Sequence, residues 1–134
     1  MEEVCGVRNV VISVGNALLS EAIAGALRRS GQFRCQRVPP ELAREIPGLC
    51  RDCRCGVLLM DVSRLPGATL PERLDEGDAA RALVPDCRVA LLCDEVADPE
   101  LAQRVMQARQ LGRIDGFLYA SVTEAYLTAA LEAL

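Results

Sequence analysis

Short apolar runs recur along the chain, each closed by a polar residue or a turn signal. Val10-Val11-Ile12-Ser13-Val14 is the first, broken by Gly15-Asn16. Phe33, Cys35 and Arg37 alternate with Arg34 and Gln36 in the manner of a half-exposed strand, and Pro39-Pro40 ends it. Gly56 to Asp61, Arg88 to Cys93 and Gly116 to Tyr119 supply three more runs. Between them the spacing becomes helical. Leu19, Ile23, Ala26 and Leu27 share one face, with Gly31 as a stop. Glu41 to Ile46 predicts a short helix closed by Pro47-Gly48, and Pro71 to Leu83 a helix interrupted by Gly77. Asp98-Pro99-Glu100 is a helix start, Asp as N-cap and Pro at the first position, followed by Leu101, Val105, Met106 and Ala108 and stopped at Gly112. Ser121 or Thr123 caps a last helix that turns Leu127, Ala130 and Leu131 inward.

These are five β-α units in series. Strands that read as continuous apolar runs imply a parallel sheet covered on both faces. Right-handed crossovers then favour an α/β doubly wound fold, a five-stranded parallel sheet in the order 2-1-3-4-5 with helices on both sides. At 134 residues, one domain spanning 1–134 is expected.

Composition narrows the chemistry. Hydrophobic residues make up 51% and aromatics only 3%, so Leu, Val, Ile and Ala build the core. All 15 basic residues are Arg, against 19 acids and a net charge of −4. That balance offers no basic field for direct nucleic-acid binding. With neither Lys nor His, a Schiff base and a lysine clamp on a phosphate are excluded. The acidic start Met1-Glu2-Glu3 shows no signal peptide, and the apolar runs are too short to span a bilayer, so a cytoplasmic location without membrane contact is expected.

The run Gly56-Val57-Leu58-Leu59-Met60-Asp61 ends abruptly in a carboxylate and is followed by Pro66-Gly67. A buried parallel strand delivers such an acid to the carboxyl edge of the sheet, where open α/β folds place their sites. An acid there can also simply cap a turn in its own loop. Gly15-Asn16 before a helix lacks the glycine-rich fingerprint of a phosphate cradle.

Taken in order, Val10 to Val14 with Leu18-Leu19-Ser20-Glu21, Leu58-Leu59-Met60-Asp61 with Pro66-Gly67, Leu91-Leu92-Cys93-Asp94, and Asp115-Gly116-Phe117-Leu118 with Thr123-Glu124 resemble the response-regulator receiver (CheY-like) family over nearly the whole chain. The likeness is greatest to receivers of helix-turn-helix transcription regulators. The resemblance makes Asp61 the phosphoacceptor equivalent and Phe117 the aromatic switch position. It also exposes gaps. The acidic pair that helps hold Mg²⁺ falls on Val14 and Gly15, or on Gly15 and Asn16 one residue later; the hydroxyl position falls on Cys93 and the lysine position on Ala120. Mg²⁺ wants oxygen ligands, usually including carboxylates, and phosphoryl transfer relies on positioned cations. What the resemblance implies is therefore a degenerate receiver (a pseudo-receiver) that is not an enzyme and needs no cofactor. It would act through a protein partner or homodimer, using the face between the fourth strand and the fifth helix, and would control transcription through a DNA-binding domain beyond residue 134. The alternative is a phosphoaccepting receiver that uses Asp61, with Asp94 or Asp98 as substitute ligands.

Seven Cys is a high number for this length. In a reducing compartment they are thiols or metal ligands before they are disulfides. Cys50-Arg-Asp-Cys53-Arg-Cys55 is a C-x₂-C-x-C cluster. Cys55 lies six residues before Asp61, and Cys87 six before Cys93, which puts Cys55 and Cys87 at one level of adjacent strands, at the amino edge, with Cys5 near that end. A zinc or redox-sensing site built from Cys50, Cys53, Cys55 and Cys87 is one reading; small apolar core residues are the other.

Overall fold

The computed structural model describes residues 7–134. Five parallel strands, β1 (Arg8–Ser13), β2 (Phe33–Arg37), β3 (Val57–Asp61), β4 (Arg88–Cys93) and β5 (Gly116–Tyr119), form one sheet in the order β2-β1-β3-β4-β5. This is the expected doubly wound order. The helices are α1 (Ala17–Ser30), α2 (Ile46–Cys53), α3 (Leu70–Leu83), α4 (Pro99–Gln110) and α5 (Glu124–Glu132), with a 3₁₀ segment at Pro40–Glu45.

Strand alternation divides the core in two. Val10, Ile12, Val57, Leu59, Ala90, Leu92 and Leu118 face Ile23 and Leu27 of α1 and Leu127 and Leu131 of α5. On the other face Val11, Leu58, Met60, Val89 and Leu91 meet Ile46 of α2, Ala80 of α3, and Leu101 and Val105 of α4. Both faces of β1, β3 and β4 are covered, which is why those strands read as unbroken apolar runs.

Local signals fixed most boundaries. Asn16 accepts from the Leu19 N–H at 3.0 Å and caps α1, while Gly31, at φ 75°, ends it in a left-handed turn. Asp98 caps α4 and Thr123, rather than Ser121, caps α5.

Two elements differ from expectation. Pro47-Gly48 opens a helix instead of closing one, since α2 starts at Ile46 with Pro47 in its first turn. Proline is compatible with that turn because no intrahelical partner is needed there. Gly77 does not interrupt α3. A Cβ at Gly77 would lie 3.3 Å from Val89 Cγ1, so the glycine lets α3 settle closely on β4.

Candidate functional site

Asp61 ends β3 at the carboxyl edge, as predicted, but it is not alone. The β1–β3 ladder pairs Ser13 with Met60, which brings Val14 level with Asp61. The Gly15 N–H donates to Asp61 Oδ2 at 3.1 Å. From the other side comes a residue that sequence reasoning missed: Arg73, in the first turns of α3. Its guanidinium donates to Asp61 Oδ1 at 2.7 Å and, through Nε, to the Asp61 carbonyl at 2.8 Å. The remaining donors reach the Ser13 hydroxyl and carbonyl, both at 3.1 Å, and Glu76 Oε1 at 2.9 Å. All five N–H groups of the fork are thereby used. The Arg73 side chain is 5% exposed, against 24% for Asp61 and 21% for Glu76. The lysine position falls on Ala120, yet Asp61 has a cationic partner all the same, in this buried ion pair.

The loop that follows Asp61 delivers Arg73. Gly67 takes φ 91°, and its N–H donates to Glu72 Oε1 at 2.8 Å. Thr69 caps α3 and Glu72 answers it in a complete capping box. The Thr69 hydroxyl and the Gly67 and Thr69 N–H groups together hold the Glu72 carboxyl below its ordinary value. Arg73 follows directly and points back across the strand ends. Arg64 ties the same loop to Asp98 and to Glu100 at 3.0 Å, at the start of α4.

A cleft of about 630 Å³ opens above Asp61, between Gly15, Leu65, Pro66, Asp94 and Ala120. Cys93 lines it yet is buried, its sulfur 3.8 Å from the Leu118 carbonyl. Burial, with Glu95 and Asp94 nearby, pushes its thiol up to about 11, so it remains a neutral, weak donor. Ala120 donates its backbone N–H to the Cys93 carbonyl at 2.8 Å and brings no side-chain polar group. Asp94 accepts from the Val96 and Ala97 N–H groups and caps its own turn. Asp98, the other substitute ligand considered, is engaged as the α4 cap and by Arg64. This donor set does not match the oxygen-rich octahedron that Mg²⁺ demands. The one carboxylate on the pocket floor is already spanned by a guanidinium.

At the sheet's amino edge the cysteines converge. The sulfurs of Cys50, Cys55 and Cys87 all lie within 4.8 Å of one another, and all three residues are buried. The ladder pairs Asp61 with Leu92, not Cys93, so Cys87 stands one residue out of level with Cys55. The correction in register does not separate the thiols. Cys53, one helical turn after Cys50, is half-buried with its sulfur 3.9 Å from the Cys50 carbonyl, outside that group of three, and Cys5 lies outside the described residues.

Phe117 lies half-buried on β5, its ring centroid 5.7 Å from that of Tyr119. A second cleft of about 640 Å³ runs between β5 and α5, bordered by Phe117, Tyr119, Val122, Tyr126 and Arg109. Among the described residues no helix is long and apolar enough to cross a membrane.

No protein-family model and no curated relative matches this chain. Solved structures do. A DNA-binding response regulator of the LuxR family from Staphylococcus aureus superimposes with a TM-score of 0.72 at 13% identity, over 94% of this chain and 97% of that one. The receiver domain of the sensor histidine kinase PA1611 from Pseudomonas aeruginosa, solved with magnesium in its active-site cleft, gives 0.69 at 19% identity, over 94% and 95%. A CheY-like protein, TadZ, from Pseudomonas aeruginosa gives 0.71 at 14%, over 94% and 98%. The chain has the fold of response-regulator receiver domains, and at these identities the likeness is one of fold.

Proposed function

We propose that this chain is a signal-transduction domain of receiver type that works without phosphorylation, through contacts with a protein partner or a second copy. The observation that carries this reading is the Arg73–Asp61 pair. A receiver pocket needs a mobile cation and free donors to meet the charge of an incoming phosphoryl group. Here the cation is a side chain, buried, with every N–H already committed. Oδ2 of Asp61 is held by the Gly15 N–H. A phosphoryl group on either oxygen would have to break a built network, and Val14, Cys93 and Ala120 supply nothing in exchange.

Output would run through the α4-β5-α5 face. Phe117 and Tyr119 are half-buried there, and Tyr126 is 61% exposed beside the β5–α5 cleft. A partner on this face would select between two packings of the aromatic pair, a population shift that requires no group transfer. The likeness to a DNA-binding response regulator supports control of transcription by way of a separate DNA-binding domain. A cytoplasmic location and the absence of a catalytic role belong to the same reading.

The test is incubation with a small acyl-phosphate donor and Mg²⁺, followed by intact-mass spectrometry. The protein should remain unmodified. An acyl phosphate on Asp61 that disappears in Asp61→Asn would establish the phosphoaccepting alternative instead.

A further inference from the structure

We propose that Cys50, Cys53, Cys55 and Cys87 form a structural site for one thiophilic divalent cation, zinc in the first instance, at the sheet edge opposite Asp61. The site would be independent of anything that happens at the carboxyl edge.

Three chain segments meet there. Cys50 and Cys53 are one turn apart on α2, the C-x₂-C spacing that lets two thiolates share a metal. Arg54 then takes φ 53°, the one non-glycine residue with positive φ among those described. This left-handed turn folds the chain back, so that the Cys55 N–H reaches the Cys50 carbonyl at 2.9 Å and the Cys55 sulfur comes to lie beside that of Cys50. Cys87 arrives from the α3–β4 turn, placed by the Arg88 N–H donating to the Gly56 carbonyl at 3.0 Å.

The sulfur triangle has edges of at most 4.8 Å. Four thiolates about 2.3 Å from a tetrahedral zinc stand roughly 3.8 Å apart. The closure needed is within reach of χ1 adjustments in these side chains. All three residues are buried, which excludes competing water; the Cys53 sulfur lies outside the triangle, 3.9 Å from the Cys50 carbonyl, and would turn in from α2 to complete the tetrahedron.

Binding exchanges the thiol protons for the metal, one released per ligand, and changes no oxidation state. Today the Cys55 thiol donates to the Val57 carbonyl at 2.9 Å, and that proton is among those lost. The mechanical effect of binding is to pin the end of α2 to β3 and β4, closing the edge of the sheet.

The experiment uses the full chain, reduced and stripped of metal, titrated with Zn²⁺ and separately with Co²⁺. One equivalent of zinc should survive gel filtration, and Co²⁺ should give the intense near-ultraviolet thiolate-to-metal absorption of a sulfur-rich tetrahedral site. Zinc should raise the thermal midpoint. Cys53→Ser, at the most exposed ligand, should fold and hold the metal more weakly, whereas Cys93→Ser and Cys35→Ser should bind normally. Sub-stoichiometric zinc together with no thiolate absorption from Co²⁺ would overturn the proposal. So would full binding by a folded Cys87→Ala variant. A disulfide between two of these residues in protein that takes up no metal would replace it with a redox role.

Discussion

Replacing Arg73 by Met removes the guanidinium while keeping an unbranched side chain of similar reach. Five hydrogen bonds are lost at once, and two carboxylates, Asp61 and Glu76, are left facing each other across the vacated space. Breaking a buried ion pair from one side costs about 3–5 kcal/mol. Here the carboxylates are 24% and 21% exposed, so water can reach both, and the cost should fall to about 2–4 kcal/mol. For a chain of this length that lowers the thermal midpoint by about 4 °C per kcal/mol, or roughly 8–16 °C. The assay is urea unfolding followed by circular dichroism, read as a change in midpoint at constant slope. The second arm is a double-mutant cycle with Asp61→Asn. If the two side chains act as one unit, Asp61→Asn should cost far less in the Arg73→Met background than alone, with a coupling above about 1 kcal/mol. A loss under about 1 kcal/mol for Arg73→Met, or coupling under about 0.5 kcal/mol, would mean that Arg73 merely fills space, and the argument for a locked pocket would collapse with it.

Gly77→Leu should destabilise by about 1–3 kcal/mol in the same unfolding assay, because the new side chain is driven into Val89. Thr69→Ala should cost about 1 kcal/mol by opening the capping box that aims Arg73. The Glu72 carboxyl sits below its ordinary value in the folded protein, so its stabilising contribution is present above about pH 4.5 and is lost as pH falls through the folded value. Glu72→Gln keeps an acceptor for Thr69 and should flatten that part of the acid limb in a pH series of melts. Tyr126→Arg should leave stability within about 0.5 kcal/mol of the parent yet abolish any self-association seen by sedimentation, if the α4-β5-α5 face is the contact surface.

Much of this fold is legible because its information is one-dimensional. A strand covered on both faces must be apolar along its buried middle, and β1, β3 and β4 are, at residues 10–12, 57–60 and 89–93. Helix limits follow from residues with a fixed local role, such as Asn16, Gly31 and Asp98. Errors arise where one residue type serves two purposes. Proline both ends helices and begins them, and Pro47, expected to close one, begins α2. Glycine both breaks helices and lets them pack closely, and only Val89, distant in sequence, decides which Gly77 does. The expected level slips by one residue because equal spacings to Asp61 and Cys93 assume that these two are paired, whereas Asp61 pairs with Leu92.

Arg73 shows the deeper limit. Nothing about an arginine next to a capping box marks it as buried, since arginines in such places usually meet water. One signal was available. Arg73 shares the inward stripe of α3 with Gly77 and Ala80, spaced four and seven residues on, and it is the only charged member of that buried stripe. A charged residue on a buried stripe needs a partner of opposite charge, or folding would carry an unpaired ion. The carboxylate at the end of β3 was the nearest candidate left without a cation. The two puzzles, an acid without its lysine and an arginine on an apolar face, are solved by the same contact. Four donors of the buried guanidinium are committed to Ser13 and Asp61 at the strand ends of β1 and β3, and the fifth to Glu76 of α3 itself. What Arg73 holds in place is the geometry of the carboxyl edge itself, where the ends of β1 and β3 meet α3.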